Sequence, residues 1–176
     1  MIPPMRLIKL LLCVFLITPF FSNAQNTSYS KEVAAYLESN GTENQYSYAY
    51  DELLKMLGKK YPKTAKNAES WVYLESNKKK AITEIKALLV PVYEENFKQK
   101  DMRKMAAFYG KGAGKQLIAD RTKLTQAQKQ ELKAFYNSEV GKKIIEKQPV
   151  LTEAIGKISE EWSRDLYETA MSLLKK

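Results

Sequence analysis

The sequence predicts an all-α fold, a single helical domain of antiparallel helices, and three observations carry that expectation. Apolar residues recur at helical spacing, as in Tyr46, Tyr50, Leu53, Leu54 and Leu57, which fall on one face of a helix. No segment alternates apolar and polar residues over more than a few positions, and β-branched runs are missing, so strands find no support. One stretch also occurs twice. Met105 to Ile118 reads MAAFYGKGAGKQLI and Leu132 to Ile145 reads LKAFYNSEVGKKII. A step of 27 positions superposes Ala107 on Ala134, Phe108 on Phe135, Tyr109 on Tyr136, Gly114 on Gly141, Lys115 on Lys142 and Ile118 on Ile145. Similarity at a fixed interval marks a supersecondary unit used more than once, and two copies are too few for a solenoid. They read as two helix–turn–helix corners inside one domain.

Residues 1–24 read as a cleaved signal peptide. Arg6 and Lys9 give a basic start, Leu10 to Phe21 is apolar apart from Thr18, and Ser22-Asn23-Ala24 offers small residues ahead of a cut before Gln25. The apolar segment is shorter than the ~20 residues a bilayer span needs, and Pro19 interrupts it, which disfavours a retained anchor. Cys13 lacks the small preceding residue of a lipoprotein site, because Leu12 stands there. Cleavage leaves residues 25–176 as one domain of 152 residues, exported to the periplasm or beyond, with no transmembrane helix. That part contains neither cysteine nor histidine, so it must hold together by packing alone.

Taken in order, Ser30 is expected to cap a short helix carrying Val33, Tyr36 and Leu37, which Asn40-Gly41 ends in a left-handed conformation. Thr42 and Gln45 suit a capping box for the next helix, and Tyr61-Pro62 closes it. Tyr46 and Tyr50 could form a ligand platform, but the leucines on their stripe favour core. Asn67 can cap a helix holding Trp71, Val72 and Leu74, and Lys78-Lys79-Lys80 suits its C-terminal end, where the helix dipole favours cations. A longer pattern comes next, Ile82 to Phe97, in which Pro91 should bend or break the helix.

The first corner starts near Gln99, places Met102, Met105, Ala106 and Tyr109 on one stripe, turns at Gly110-Lys111-Gly112 and returns with Ala113, Leu117 and Ile118. The second begins at Thr125, with Gln128 as capping-box partner, presents Leu132, Phe135 and Tyr136, turns at Asn137-Ser138 and returns with Val140, Ile144 and Ile145. Pro149 should kink the last element, a long C-terminal helix with Leu151, Ile155, Ile158, Trp162, Leu166, Ala170 and Leu173 on one side. Its inner face is expected to close the core. A partner-binding or membrane-lying role is the alternative, and its slight acidity disfavours an anionic bilayer.

Pro91-Val92-Tyr93, Phe97, Met102, Ala107-Phe108-Tyr109 and Gly114-Lys115 resemble the motif Pro-Ile-Tyr, Phe-Thr, Leu, Ala-Phe-Tyr-x-Ser-Pro-x-Gly-Lys of the bacterial family called domain of unknown function 2059. Spacing agrees without a gap from Pro91 to Lys115, and the wider motif region covers residues 91–149. The second copy, Ala134 to Lys142, keeps the serine as Ser138 and has Glu139 in place of the proline. Lys98 replaces a capping threonine, Lys111-Gly112 replaces Ser-Pro, and Asp101 shortens a glutamate. The resemblance implies an all-helical exported domain and brings no assigned activity with it.

Composition excludes several chemistries. Without histidine or a mature cysteine, histidine-dependent triads, thiol nucleophiles and the usual zinc sites are ruled out, so no metal, no cofactor and no catalytic residue is assigned. Glu94-Glu95 and Glu160-Glu161 point about 100° apart on a helix, so neither pair faces one substrate, and a hydrolase would need carboxylates brought together by folding. Gly110-Lys-Gly-Ala-Gly114-Lys115 has three residues between the outer glycines where a phosphate loop needs four, and Gln116 follows the lysine. Turn and packing roles explain those glycines better.

Charge carries the remaining functional content. Residues 78–147 hold 17 basic and 8 acidic side chains, whereas 25–77 hold 6 and 7, and 148–176 hold 4 and 5. Lys98, Lys100, Arg103, Lys104, Lys111, Arg121, Lys123, Lys142 and Lys143 could bind a polyanion, or simply keep the helices soluble. An exported chain rarely meets nucleic acid, so an anionic envelope polymer is the better target. The first expectation is a non-enzymatic protein that binds a protein or another envelope component in a groove between the corners. Phe108, Tyr109, Gly114, Lys115, Phe135, Tyr136, Gly141 and Lys142 are its candidate groove or core residues.

Gly114 and Gly141 each sit five residues after the tyrosine of a Phe-Tyr pair, just past the turn, where glycine costs a helix about 1 kcal/mol against alanine. A missing side chain there lets the returning helix approach the aromatic one. Gly141→Leu should therefore destabilise by more than about 1 kcal/mol, and an unchanged thermal melt would remove this packing role.

Overall fold

The computed structural model describes residues 21–175, with side chains from residue 28 onward, and among these residues there is no strand. Residues 1–20, the bulk of the expected signal peptide, lie outside the described residues. The helices are α1 (Phe21–Ser39), α2 (Thr42–Lys60), α3 (Ala68–Ser76), α4 (Lys78–Asn96), α5 (Gln99–Tyr109), α6 (Gly112–Asp120), α7 (Gln126–Asn137) and α8 (Glu139–Leu174), with a 3₁₀ turn at Arg121–Lys123. The fold is the all-α helical domain expected.

The 36-residue α8 runs alongside the others and packs on α4, α7, α3 and α5. α1 lies against α4 and α5, and α2 against α4 and α1. One apolar core joins Val33 and Leu37 of α1, Tyr46 and Tyr50 of α2, Ile85 and Leu89 of α4, Met102 and Met105 of α5, and Leu151 and Trp162 of α8. A smaller core gathers Leu57, Trp71, Leu74, Ala170, Met171 and Leu174 where α2, α3 and the end of α8 meet. Polar pins cross between layers: Trp162 Nε1 donates to Ala81 O at 3.2 Å, Tyr50 OH to Leu74 O at 2.7 Å, and Ser70 Oγ to Leu173 O at 3.0 Å. Lys86, largely covered on α4, bonds Glu38 at 3.3 Å and Glu43 at 2.5 Å, tying both sides of the α1–α2 corner to α4. That corner turns on Gly41, whose φ of 88° requires glycine, as the sequence led one to expect.

Several local expectations are corrected. α1 begins ahead of Ser30, which lies within the helix and donates to Glu94 Oε1 at 2.7 Å instead of capping. Thr42 is the first helical residue of α2 and not its cap; its N–H is taken by Asn40 Oδ1 at 3.0 Å. Asn67 precedes α3, but its side chain accepts from Thr64 N–H and donates to Pro62 O, fixing the connector. Lys78-Lys79-Lys80 forms the first turn of α4, an unfavourable place for cations, and Lys78 is compensated by Asp51 at 2.6 Å. Val72 is exposed, while Trp71 and Leu74 are buried.

Neither proline breaks its helix. Pro91 lies inside α4 and Pro149 inside α8. Both are exposed, as are Ala87 and Ile145 four residues earlier, whose carbonyls lose their helical partner and can turn to water instead.

Burial pushes the Tyr36 hydroxyl up to about 12, against a bond from Asn40 that lowers it. Burial, followed by the carboxylates of Glu94, Asp101 and Glu32, pushes Tyr29 up to about 12 as well. Both groups titrate near 10 when unfolded. A raised folded value means stability that is whole below that pH and lost as pH climbs to the folded value. Stability should fall between pH about 10 and about 12, and Tyr36→Phe should make that alkaline limb shallower when helicity and tyrosinate absorbance are followed together.

Candidate functional site

The two similar stretches meet face to face. α5 and α7 each close on a Phe-Tyr pair, and the Phe108 ring stacks on Phe135 with centroids 3.7 Å apart and planes 2° from parallel. The Tyr109 and Tyr136 hydroxyls hydrogen bond at 2.9 Å. Within each pair the rings stand edge to face, at 5.3 Å in the first and 5.4 Å in the second. Tyr109 also meets Tyr36 of α1 edge-on at 5.8 Å, joining the cluster to the main core. Burial, and then the bond to Tyr136, push the Tyr109 hydroxyl far above its ordinary value. Phe108 and Tyr109 are buried, and Phe135 and Tyr136 half-buried. The four rings pack on one another at the position of the expected groove, and Phe135 and Tyr136 keep part of their surface open.

The glycines explain how the helices come so close. A Cβ on Gly114 would strike the carbonyl oxygen of Phe108, with Phe108 C at 2.7 Å and Tyr109 Cα at 2.8 Å. On Gly141 it would strike the carbonyl oxygen of Phe135, with Tyr136 Cα at 2.5 Å and Tyr136 C at 2.8 Å. Main-chain atoms cannot swing aside as a side-chain tip can. Both glycines are buried.

The corners differ in how their second helices are capped. Ser138 Oγ accepts from Gly141 N–H at 3.2 Å and donates to Phe135 O at 2.6 Å. The first corner has no serine there. Glu131 of α7 reaches across and accepts from Ala113 N–H at 3.2 Å, a carboxylate at the positive end of α6. Gly112, at φ 54°, lies under that carboxylate, and a Cβ would be 2.6 Å from Glu131 Oε1. At the other end, Thr125 and Gln128 form the expected reciprocal capping box before α7. Before α5 only half of one forms: Lys98 N–H donates to Asp101 Oδ2 at 3.2 Å, and a lysine side chain has no acceptor to return the bond.

Asp101 is 1% exposed, the one charged residue fully inside among the described residues, and Lys143 Nζ donates to its Oδ2 at 2.6 Å. This pair clamps the start of α5 to α8. Nothing in the sequence distinguishes Lys143 from its neighbours, so it reads there as one of nine surface cations. Lys115 and Lys142 are exposed, and neither has an ion pair among the described residues.

Openings lie elsewhere, along α8. A cleft of about 630 Å³ sits between the α1–α2 corner, α4, α6 and α8. A second, of about 350 Å³, sits between α1, α4, α5 and α8. Tyr93 and Ile155 line both, so the clefts adjoin across that pair. None of the lining residues is Asp, Glu, Lys or Arg, although these make up 28% of the chain. The larger cleft carries the carboxamides of Asn44 and Gln45 and the hydroxyls of Thr42, Ser159 and Ser163. Its aromatic side is fixed: Tyr46 stands edge-on to Trp162 at 5.2 Å, and its hydroxyl bonds Ser159 Oγ at 2.6 Å while Ser159 donates to Ile155 O at 2.7 Å. The smaller cleft is apolar, apart from Gln148 and Thr152.

Gly156 lines the smaller cleft from the middle of α8, and a Cβ there would meet nothing within 4 Å. It disfavours the helix by about 1 kcal/mol against alanine, and unlike Gly114 and Gly141 it has no packing reason to be glycine. Sequence reading could not find these clefts, whose walls come from helices far apart in the chain.

The model of a family described as an uncharacterized protein conserved in bacteria, domain of unknown function 2059, matches residues 83–130 and again 121–169. Each match contains one of the two similar stretches. No curated protein and no solved structure matches the chain.

Burial pushes the Asp101 carboxyl up, but the Lys143 ammonium and the Lys98 N–H outweigh it and hold the group below its ordinary value. A lowered folded value contributes stability above the unfolded pKa of about 3.9 that is lost as pH falls through the folded one. Lys143→Met strands a buried carboxylate and should cost about 1–3 kcal/mol at neutral pH, toward the lower end because Lys143 is partly exposed. The acid-unfolding midpoint should move to higher pH. Adding Asp101→Asn to Lys143→Met should recover part of the loss in urea melts, since the stranded charge is then gone.

Proposed function

We propose that this chain, which belongs over residues 83–169 to the domain of unknown function 2059 family, is an exported, non-catalytic binding protein of the cell envelope that holds an uncharged ligand beside α8. The observation that carries the reading is the lining of the clefts. A chain so rich in charge leaves both of them free of ionised side chains. The larger one, about 630 Å³, falls within the ~300–1,000 Å³ of ordinary ligand sites. Hydroxyls and carboxamides beside Tyr46 and Trp162 can hydrogen bond a neutral polar group, and the lining has no cation with which to neutralise an anion. Export rests on the leader-like residues 1–24, and the periplasm or the outside of the cell is the compartment they imply. The repeated corner is the internal duplication that builds the scaffold.

A second reading uses the lysine-rich face to bind an anionic envelope polymer. Its basis is thinner than nine cations, because Arg103 pairs with Glu32, Lys123 with Asp120 and Lys143 with Asp101. A hydrolase assembled from carboxylates has less support, since Glu94 accepts from Ser30 and Glu160 from Arg164.

Binding of residues 25–176 to isolated cell-envelope fractions separates the readings. The cleft predicts retention that persists at high salt, falls at least tenfold in Ser163→Glu, which puts a charge at the exposed rim of the larger cleft, and is unchanged in Lys104→Glu. Retention that falls steeply with salt and with Lys104→Glu would transfer the function to the lysine face.

A further inference from the structure

We infer that the two clefts form one site for an amphiphile, with an aliphatic tail in the smaller cleft and an uncharged, hydroxyl-rich head in the larger. This rests on the reading of the clefts as the ligand site and names the class of ligand. Three observations converge on it.

The first is the step in polarity where the clefts adjoin. On one side of Tyr93 and Ile155 the walls are apolar but for Gln148 and Thr152; on the other, Asn44, Gln45, Thr42 and Ser163 stand among Leu89, Leu117, Ile118 and Trp162. A wholly polar ligand would leave the first side unused, and a wholly apolar one would leave the carboxamides of Asn44 and Gln45 and the hydroxyls of Thr42 and Ser163 unused.

The second is the combination of length and charge. The lining positions on α8 run from Ile144 to Ser163, which at ~1.5 Å per residue is about 28 Å. That suits an extended molecule with a distinct head and tail. No lysine or arginine lines either cleft, so phosphate, sulfate and carboxylate heads would enter without a counter-charge.

The third is Gly156. It is exposed, one position from Ile155 at the junction, and packing gives no reason for it. A glycine in a helix that no neighbouring residue requires fits a place where something outside the chain lies against the backbone. A larger side chain there would stand at the lining of the smaller cleft.

The test uses residues 25–176 carrying Trp71→Phe, so that Trp162, which lines the larger cleft, is the sole tryptophan. Three probes are titrated: dodecyl maltoside below its critical micelle concentration, maltose as the head alone, and laurate as the same tail with a charged head. Dodecyl maltoside should change Trp162 emission saturably, with one-to-one stoichiometry, and bind at least tenfold more tightly than either of the others. Gly156→Leu should weaken it at least tenfold while helicity is kept and the melting temperature stays the same or rises, a combination that mere structural damage would not produce. Thr152→Glu, which adds a charge beside the tail, should weaken it likewise. Maltose binding as tightly as dodecyl maltoside would overturn the amphiphile and leave the cleft reading standing. Laurate binding equally well, or indifference to both Gly156→Leu and Thr152→Glu, would mean adsorption of detergent to the surface and overturn the inference. No saturable response to any probe would also overturn it, and the cleft reading falls with it only where Ser163→Glu leaves envelope binding unchanged.

Discussion

Main chain packed directly on main chain at Gly114 and Gly141 is the constraint on which the rest of the architecture depends. At each place the returning helix passes so near the Phe-Tyr pair before it that no side chain fits between them. The tight turn sets the two pairs at matching heights, so Phe108 lies flat on Phe135 and Tyr109 bonds Tyr136. Aromatic pairs of this kind contribute about 0.5–1.5 kcal/mol beyond the area they bury. Their larger effect here is to fix α5 and α7 relative to each other, although α7 itself buries no residue fully. α8 departs from that junction, and both clefts are lined by it.

The charged residues divide into those that hold the scaffold and those that face water. Asp101–Lys143 and the Lys86 bridge to Glu38 and Glu43 join elements far apart in sequence and are partly or wholly shielded from solvent. Glu131 belongs with them, because it supplies from a neighbouring helix the cap that the first corner lacks. Pairs such as Lys157–Glu153 and Arg164–Glu160 lie one turn apart on exposed helix, where screening leaves them worth little. Within the basic middle region, Lys86 and Lys143 are therefore committed to the scaffold.

Three glycines in similar helical settings have different reasons to exist. Two are required by the fold, and replacing them would force backbone apart. Gly156 is not, and a fold optimised for stability alone would place a better helix former there. Residues that weaken a scaffold without helping its packing concentrate where something must bind or move. That is the physical content of reading the trough beside α8 as the working surface of the molecule.

The sequence by itself determined the helical class, most helix ends, the left-handed turn at Gly41, the capping box at Thr125 and the tight approach at the paired glycines. Each of these depends on residues within a few positions of one another, where spacing and local hydrogen bonding suffice. Where it misled, local context had altered the outcome: Asn40 took the N–H of Thr42, and α1 ran past Ser30. Only the tertiary structure decided that the two Phe-Tyr pairs stack on each other, that Asp101 is buried against Lys143, and that uncharged clefts open along α8. Those features join residues tens of positions apart, and their pairing depends on the angles at which helices cross. Helical periodicity says which face of a helix turns inward, but it does not say which other face will meet it.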